Sequence, residues 1–244
     1  MLSTHSTTLS TRRWLGALAL ASSFAVLAAS AAPVAAQSEQ QELVNKAETT
    51  FATFMRDPDA AWLQKHIGRA KAVLIAPQVV KAGWIFGGAG GRAVLFARDE
   101  QTGRWTGPAF YDLAAASVGF QGGVSVSETV TLVMTQKGLN SLLASSAKLG
   151  GDASIAAGPI GAGANADVTA DLVSYSRSKG LYGGLNLEGS VIHVSDTFNR
   201  DYYGSSVLPP DILVRATVHN PQADRFVADL NRLASRKRVA EDMG

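Results

Sequence analysis

Twenty of the chain's 24 glycines fall between Gly83 and Gly189, where they interrupt short apolar runs at almost every step. Glycine weakens the interior of an element and suits turns, bulges and close backbone approaches, so this stretch must fold as tightly cornered strands. Between the glycines, Val130, Leu132 and Met134 alternate with Thr129, Thr131 and Thr135, the period of a strand with one buried face. Further strands are predicted at Val73–Ala76, Trp84–Phe86, Arg92–Arg98 and Ser117–Phe120. The chain from Ala153 to Val194 is strand-like again, with Leu185, Leu187 and Val191 set against Asn186, Glu188 and Ser190. After the turn Asp99–Gly103, Trp105 and Phe110 are expected to be exposed.

Helical spacing is confined to the flanks and one short segment. Leu43, Val44, Ala47, Phe51, Phe54 and Met55 recur at steps of three and four over Gln41–Met55. Asp57-Pro58-Asp59 ends that helix and caps a second, from about Ala60 to Ala70. The polar face of the first helix mixes Glu42, Lys46, Glu48 and Arg56, which suits packing on a sheet better than lying on a membrane. Lys137–Lys148 reads as a short helix. Asn220-Pro221 opens a last one with a capping side chain and a proline in the first turn, and its stripe is Phe226, Val227, Leu230 and Leu233. The whole reads as α+β: a strongly bent, mostly antiparallel sheet, half-barrel-like, with helices at both termini.

The glycine-rich blocks also form an ordered series. Lys81-Ala-Gly-Trp-Ile-Phe-Gly-Gly88, Gly107-Pro-Ala-Phe110, Ala116-Ser-Val-Gly-Phe-Gln-Gly122, Gly151-Asp-Ala-Ser154, Ala157-Gly-Pro159, Ser174-Tyr-Ser-Arg-Ser-Lys-Gly180 and Asn199-Arg-Asp-Tyr-Tyr-Gly204 follow one another in that order. Over Lys65–Leu233 this series resembles the SYLF domain family. The resemblance implies lipid binding, with actin association in some eukaryotic members.

Residues 1–36 have the three-part layout of a secretory signal: Arg12 and Arg13, an apolar run from Trp14 to Ala29, and small residues ending at Val34-Ala35-Ala36. Cleavage is expected after Ala36. Ser10-Thr-Arg-Arg-Trp-Leu-Gly16 partly resembles a twin-arginine signal, with Gly16 where a second large apolar residue is usual, so both export routes stay open. The expected organisation is an export signal over 1–36, a helical segment over 37–70, the Gly-rich sheet core with its C-terminal helix over 71–235, and a basic, flexible tail over 236–244. The expected location is periplasmic, peripheral to a membrane.

Removing residues 1–36 takes away two arginines and no acid, leaving 20 basic against 20 acidic side chains. No global field then draws the protein to nucleic acid or to an anionic membrane, and any such attraction is local. The chain has no cysteine, which excludes disulfides, thiolate metal sites and a lipidated cysteine.

Catalytic spellings fail on inspection. Gly161-Ala-Gly-Ala-Asn-Ala166 fits a dinucleotide fingerprint, but Asp167–Tyr175 after it has strand character where a helix is required. Ser176-Arg-Ser-Lys179 matches the Ser-x-x-Lys of penicillin-recognising enzymes without their companion motifs. His66, His193 and His219 are scattered, and Asp152, Asp167 and Asp171 read more simply as turn and strand-edge residues than as a calcium site. No enzyme, cofactor or metal is expected.

A local basic and aromatic patch remains as the candidate site. Residues two apart on a strand share a face, so Tyr175, Arg177 and Lys179 would set a ring beside two cations able to hold a phosphate. Lys71, Lys81 and Arg92 are the other candidates for contact with a phospholipid headgroup or membrane surface. The same residues also fit a fold-defining hairpin in which Arg177 pairs with an acid such as Asp152 or Asp201. The alternative function is a structural module that binds a protein partner or itself.

Overall fold

The computed structural model describes residues 38–83, 86–118, 123–161, 167–178, 181–182 and 187–242. Helix α1 (Glu39–Phe54) starts where the Ser38 hydroxyl accepts the Gln41 N–H at 3.2 Å, and it buries Val44, Ala47, Phe51 and Phe54. Asp57 caps a short 3-10 turn, Pro58–Ala60, which runs into α2 (Ala61–His66).

Among the described residues nine strands make one sheet: β1 (Ala72–Gly83), β2 (Phe86–Arg98), β3 (Trp105–Val118), β4 (Gly123–Val133), β5 (Ser146–Lys148), β6 (Ile155–Ala157), β7 (Leu172–Ser178), β8 (Leu181–Tyr182) and β9 (Val191–Val194). Their order is β5-β9-β3-β2-β1-β4-β7-β6, with β8 beside β7. Every pairing is antiparallel except β6 with β7. The other helices are α3 (Gln136–Leu143), α4 (Asp196–Tyr203), α5 (Pro209–Leu213) and α6 (Asp224–Asp242). This is the α+β half-barrel that the glycine pattern predicts.

Alternation along β1 and β2 feeds two cores, one on each face of the sheet. Val73, Ile75, Val94 and Phe96 point into a cluster with Phe51, Phe54, Trp62 and Phe226 of the terminal helices. Leu74, Leu95, Tyr111 and Ile192 point the other way, toward Leu139 and Leu142 of α3 and Ile212 and Leu213 of α5. Each large apolar side chain buried in this way contributes about 1.5–3 kcal/mol, so the doubly covered half of the sheet holds the fold together. In β1 the pairing with both neighbours shifts around Pro77, between Ile75 and Val79. Gly91 lies against this bulge, and a Cβ there would fall 2.4 Å from the Gln78 carbonyl oxygen.

Several local expectations change. The apolar run at Val73–Ala76 is the start of one 12-residue strand that continues through Pro77 to Gly83. Trp105 and Phe110 are buried, not exposed, because β3 runs under α6 and α4; the Trp105 N–H donates to Asn231 Oδ1 of α6 at 3.0 Å. The helix expected over Lys137–Lys148 stops at Leu143, and Ser146–Lys148 pairs with β9 instead. Asn199-Arg-Asp-Tyr-Tyr-Gly204 forms the second half of α4 and its cap, Gly204 at φ 68°, with Asn199 bound through its amide to both Phe110 N and Phe110 O. Trp84, Phe120 and Leu185 lie outside the described residues, and Ser190 is buried, so the alternation read over 185–191 does not describe one strand.

Candidate functional site

Past the bulge the four central strands, in the order β3-β2-β1-β4, run on together, with the β1–β2 hairpin at the centre and β3 and β4 on its two flanks. Gly83 is opposite both Gly87 and Gly123, and Phe86 is opposite Val118, so the β1–β2 and β3–β4 connections fall at one end of the sheet. The β7–β8 pair, Arg177 opposite Tyr182, closes at the same end. The residues here are small: Gly90 and Gly88 pair with Val80 and Ala82 on one side and with Ala114 and Ala116 on the other.

This distal end of the sheet has an uncovered face. Val80 is 37% exposed, Val126 46% and Val124 73%. Val80 and Val126 are direct cross-strand partners, and Val124 faces Ala82. Isolated exposed valines need no explanation, but neighbours on adjoining strands make a patch. The chain carries 20 acidic residues, yet among the described residues none falls in the strand ends here, 79–83, 87–91, 113–118 and 123–127. Lys81 is the ionisable cation within them. The distal end is therefore apolar, glycine-rich and weakly positive.

At the foot of the valine face a groove of about 640 Å³ separates the first turns of α1 from the sheet, and Val80 forms part of its wall. Arg92 is its central charge. The guanidinium lies 4.1 Å over the Phe198 ring, with Nη1 3.6 Å from Glu39 Oε2 and Nε 3.4 Å from Asp112 Oδ1. Both ion pairs are longer than a good charge-assisted hydrogen bond.

The six predicted residues do not meet in one patch. Tyr175 is buried in the core under the terminal helices, and its hydroxyl donates to the Pro159 carbonyl at 2.9 Å. Arg177 is largely buried between elements: Nη2 reaches Glu128 Oε2 at 2.8 Å, Nη1 reaches Asp57 Oδ2 at 3.4 Å, and the guanidinium lies 5.3 Å over Phe54. That is the fold-defining arrangement, with Glu128 and Asp57 as the acids. Asp152 instead accepts the Lys148 N–H at 2.7 Å, and Asp201 lies 3.4 Å from Arg200. Lys179 lies outside the described residues. Lys71 precedes β1 and pairs with Glu100, at the opposite end of the strand from Lys81. Lys81 follows Val80 on β1 and so sits on the opposite face from it. Of the set, Arg92 borders the uncovered face beside Val80, and Lys81 stands at the same end of the sheet on its other face.

The residues that sequence reading missed are Val80, Val124, Val126, Asp112 and Phe198. Val124 and Val126 alternate with Ser125 and Ser127, so their shared face was readable. That nothing described covers it was not.

The remaining polar clusters serve the fold. Asp171 accepts from Thr135 Oγ1 at 2.5 Å, from Ser154 N at 2.9 Å and Ser154 Oγ at 2.8 Å, with Lys137 Nζ at 3.4 Å. The Thr135 hydroxyl first, then the Ser154 N–H, hold its carboxyl far below the usual carboxylate range. Ser176, the first residue of the Ser-x-x-Lys spelling, is buried on a strand and shares a hydrogen bond with Thr129. Among the described residues no three His, Asp or Glu side chains are grouped to hold a metal ion, and no helix is long and apolar enough to cross a membrane.

Residues 114–233 match the Ysc84 family, described as Las17-binding protein actin regulator. Protein YSC84 of Saccharomyces cerevisiae is 34% identical over 173 residues, 68% of this chain and 36% of the yeast protein. LAS seventeen-binding protein 3 of the same yeast is 35% identical over 152 residues, 59% of this chain and 33% of that one. Human SH3 domain-containing YSC84-like protein 1 is 30% identical over 182 residues, 72% of this chain and 53% of the relative. The chain thus spans about a third to a half of the length of these relatives.

Proposed function

The chain belongs to the Ysc84 family, and from that premise we propose that it is a non-catalytic protein that docks on a phospholipid surface through the distal end of its sheet. The observation that carries this reading is the uncovered face of Val80, Val124 and Val126 on strand ends that carry no carboxylate among the described residues. Apolar side chains at such a face enter the interfacial region of a bilayer, and the missing acids spare it repulsion from anionic headgroups. Lys81 adds attraction. The site differs from the strand patch around Arg177, whose guanidinium is engaged by Glu128 and Asp57. The secretory layout of residues 1–36 supports work in a bacterial envelope, and the absence of any assembled catalytic spelling supports a binding role.

Vesicle flotation tests the reading. The purified protein should be retained on vesicles containing phosphatidylglycerol, and a folded Val124→Asp, Val126→Asp double variant should lose at least about tenfold, since each charge placed in the interface costs a kilocalorie or more. A wild type retained on no vesicle, or a double variant retained as well as the wild type, overturns it.

The relatives' names favour a second reading, in which the same face receives a protein. LAS seventeen-binding protein 3 is named for such a partner. That reading predicts indifference to lipid and self-association or partner capture that the same valine substitutions abolish.

A further inference from the structure

We infer that the groove beside Arg92 seats a zwitterionic phospholipid headgroup carrying a primary amine, of the phosphoethanolamine type. The inference rests on the membrane reading above and adds to it the headgroup chemistry.

The charges in the groove come in a particular order. Lys46 and Glu42 pair with each other along α1 at 2.6 Å. Arg92 is left between Glu39 at 3.6 Å and Asp112 at 3.4 Å, so the heart of the groove carries one negative charge in excess. Among the described residues the Arg92 side chain has these two long ion pairs and no closer polar partner, although its guanidinium has five N–H donors in a fork that matches phosphate oxygens. Phe198 holds it flat, with the ring 4.1 Å from the guanidinium carbon, and this limits the entropy lost when a phosphate binds. Glu39 and Asp112 each keep free lone pairs beside it.

A headgroup with phosphate alone would take the place of neither carboxylate and would raise the local excess of negative charge. A zwitterion brings its own remedy: phosphate oxygens on Arg92, and an ammonium whose N–H groups reach Asp112 and Glu39. A trimethylated ammonium cannot make those hydrogen bonds, and the ring that would receive it by cation–π contact, Phe198, is already covered by Arg92. The groove therefore selects a primary amine. Its wall includes Val80, which also belongs to the uncovered valine face, so groove and face are continuous and the acyl chains of a seated lipid have a path along that face.

The test compares vesicles that share one fraction of phosphatidylglycerol and carry the remainder as either phosphatidylethanolamine or phosphatidylcholine. The wild type should bind the ethanolamine vesicles about tenfold more tightly, the worth of one charge-assisted hydrogen bond. Asp112→Asn and Arg92→Gln, each checked for an unchanged unfolding midpoint, should bring the two vesicle types to parity. Soluble glycerophosphoethanolamine at millimolar concentration should erase the preference without releasing protein from phosphatidylcholine vesicles. Equal wild-type retention on both vesicles overturns the headgroup assignment and leaves the membrane reading standing. A preference that survives in both variants belongs to bilayer packing and overturns it as well. Capture of the soluble phosphodiester by a protein that ignores vesicles assigns the groove to a free metabolite and overturns the lipid source. No retention on any vesicle sinks the membrane reading and this one with it.

Discussion

A Cβ at residue 158 would stand 2.0 Å from Cε2 of Tyr175, so Gly158 and the Tyr175 ring share one packing site. The ring is buried, and its hydroxyl donates to the carbonyl of Pro159, the next residue after Gly158. Two of the sequence blocks, Ala157-Gly-Pro159 and Ser174–Gly180, are thus halves of one contact. The ring is wedged in the core and has nowhere to retreat. Gly158→Ala should therefore cost about 3 kcal/mol, the upper range for overpacking. Tyr175→Phe should cost about 1 kcal/mol, the worth of one hydrogen bond. Urea midpoints at unchanged slope check both, and an alanine variant as stable as the wild type would refute the packing.

Arg177 joins β7 to β4 through Glu128 and to the turn before α2 through Asp57. Its side chain is 17% exposed, which puts the pair between a surface bridge and a buried one. Arg177→Ala should destabilise the protein by about 2 kcal/mol, below the roughly 3–5 kcal/mol of a fully buried pair. Retention on anionic vesicles, measured on the folded fraction, should stay within about twofold of the wild type, since the guanidinium is already engaged by two carboxylates. A folded variant that has lost vesicle binding would return the site to this strand.

Why some of this was legible in the sequence and some not follows from range. The α1 stripe of Val44, Ala47, Phe51 and Phe54 and the Val–Thr alternation of β4 are local periods, and both elements formed there, although β4 begins earlier, at Gly123, and stops at Val133, before Met134. Arg177 finds Asp57, 120 positions away, which no period reveals. Trp105 and Phe110 looked exposed because the helices that cover β3 come from far along the chain, near its C-terminus. Lys71 and Lys81 share parity in sequence, but the bulge at Pro77 and the length of β1 keep them from forming one patch. For Asp112 and Phe198, the signal lay in the pairing of β3 with β2 and in the return of α4 across the sheet, neither of which is written locally.

Lys81 is the described cation of the distal end, and it stands among residues with no acid to neutralise it. A lysine near an anionic leaflet contributes about 1 kcal/mol, so Lys81→Ala should weaken retention on phosphatidylglycerol vesicles about fivefold. Raising the salt from about 0.1 M toward 1 M shortens the screening length to about 3 Å and should shrink the difference between variant and wild type. The valine contribution is apolar and should persist at high salt. A Lys81→Ala effect equally large at both ionic strengths would show that the lysine acts through folding and not through the membrane's field.

Asp171 ties three segments: its Oδ1 accepts from Thr135, which itself caps α3, and its Oδ2 accepts from Ser154 before β6. Hydrogen bonds from Thr135, then Ser154, lower its folded pKa far beneath the roughly 3.9 of an unfolded aspartate. The sign follows from that direction. The stabilisation is complete above the unfolded value and is lost as pH falls below about 4 toward the folded one. Asp171→Asn should cost about 2 kcal/mol at neutral pH, the worth of charge-assisted bonds to a neutral-state substitute. Between about pH 5 and pH 2.5 the wild type should then lose more stability than the variant, and the gap between their urea midpoints should narrow. A gap that stays constant through that window would mean that the carboxylate's charge contributes nothing to holding β7 against α3.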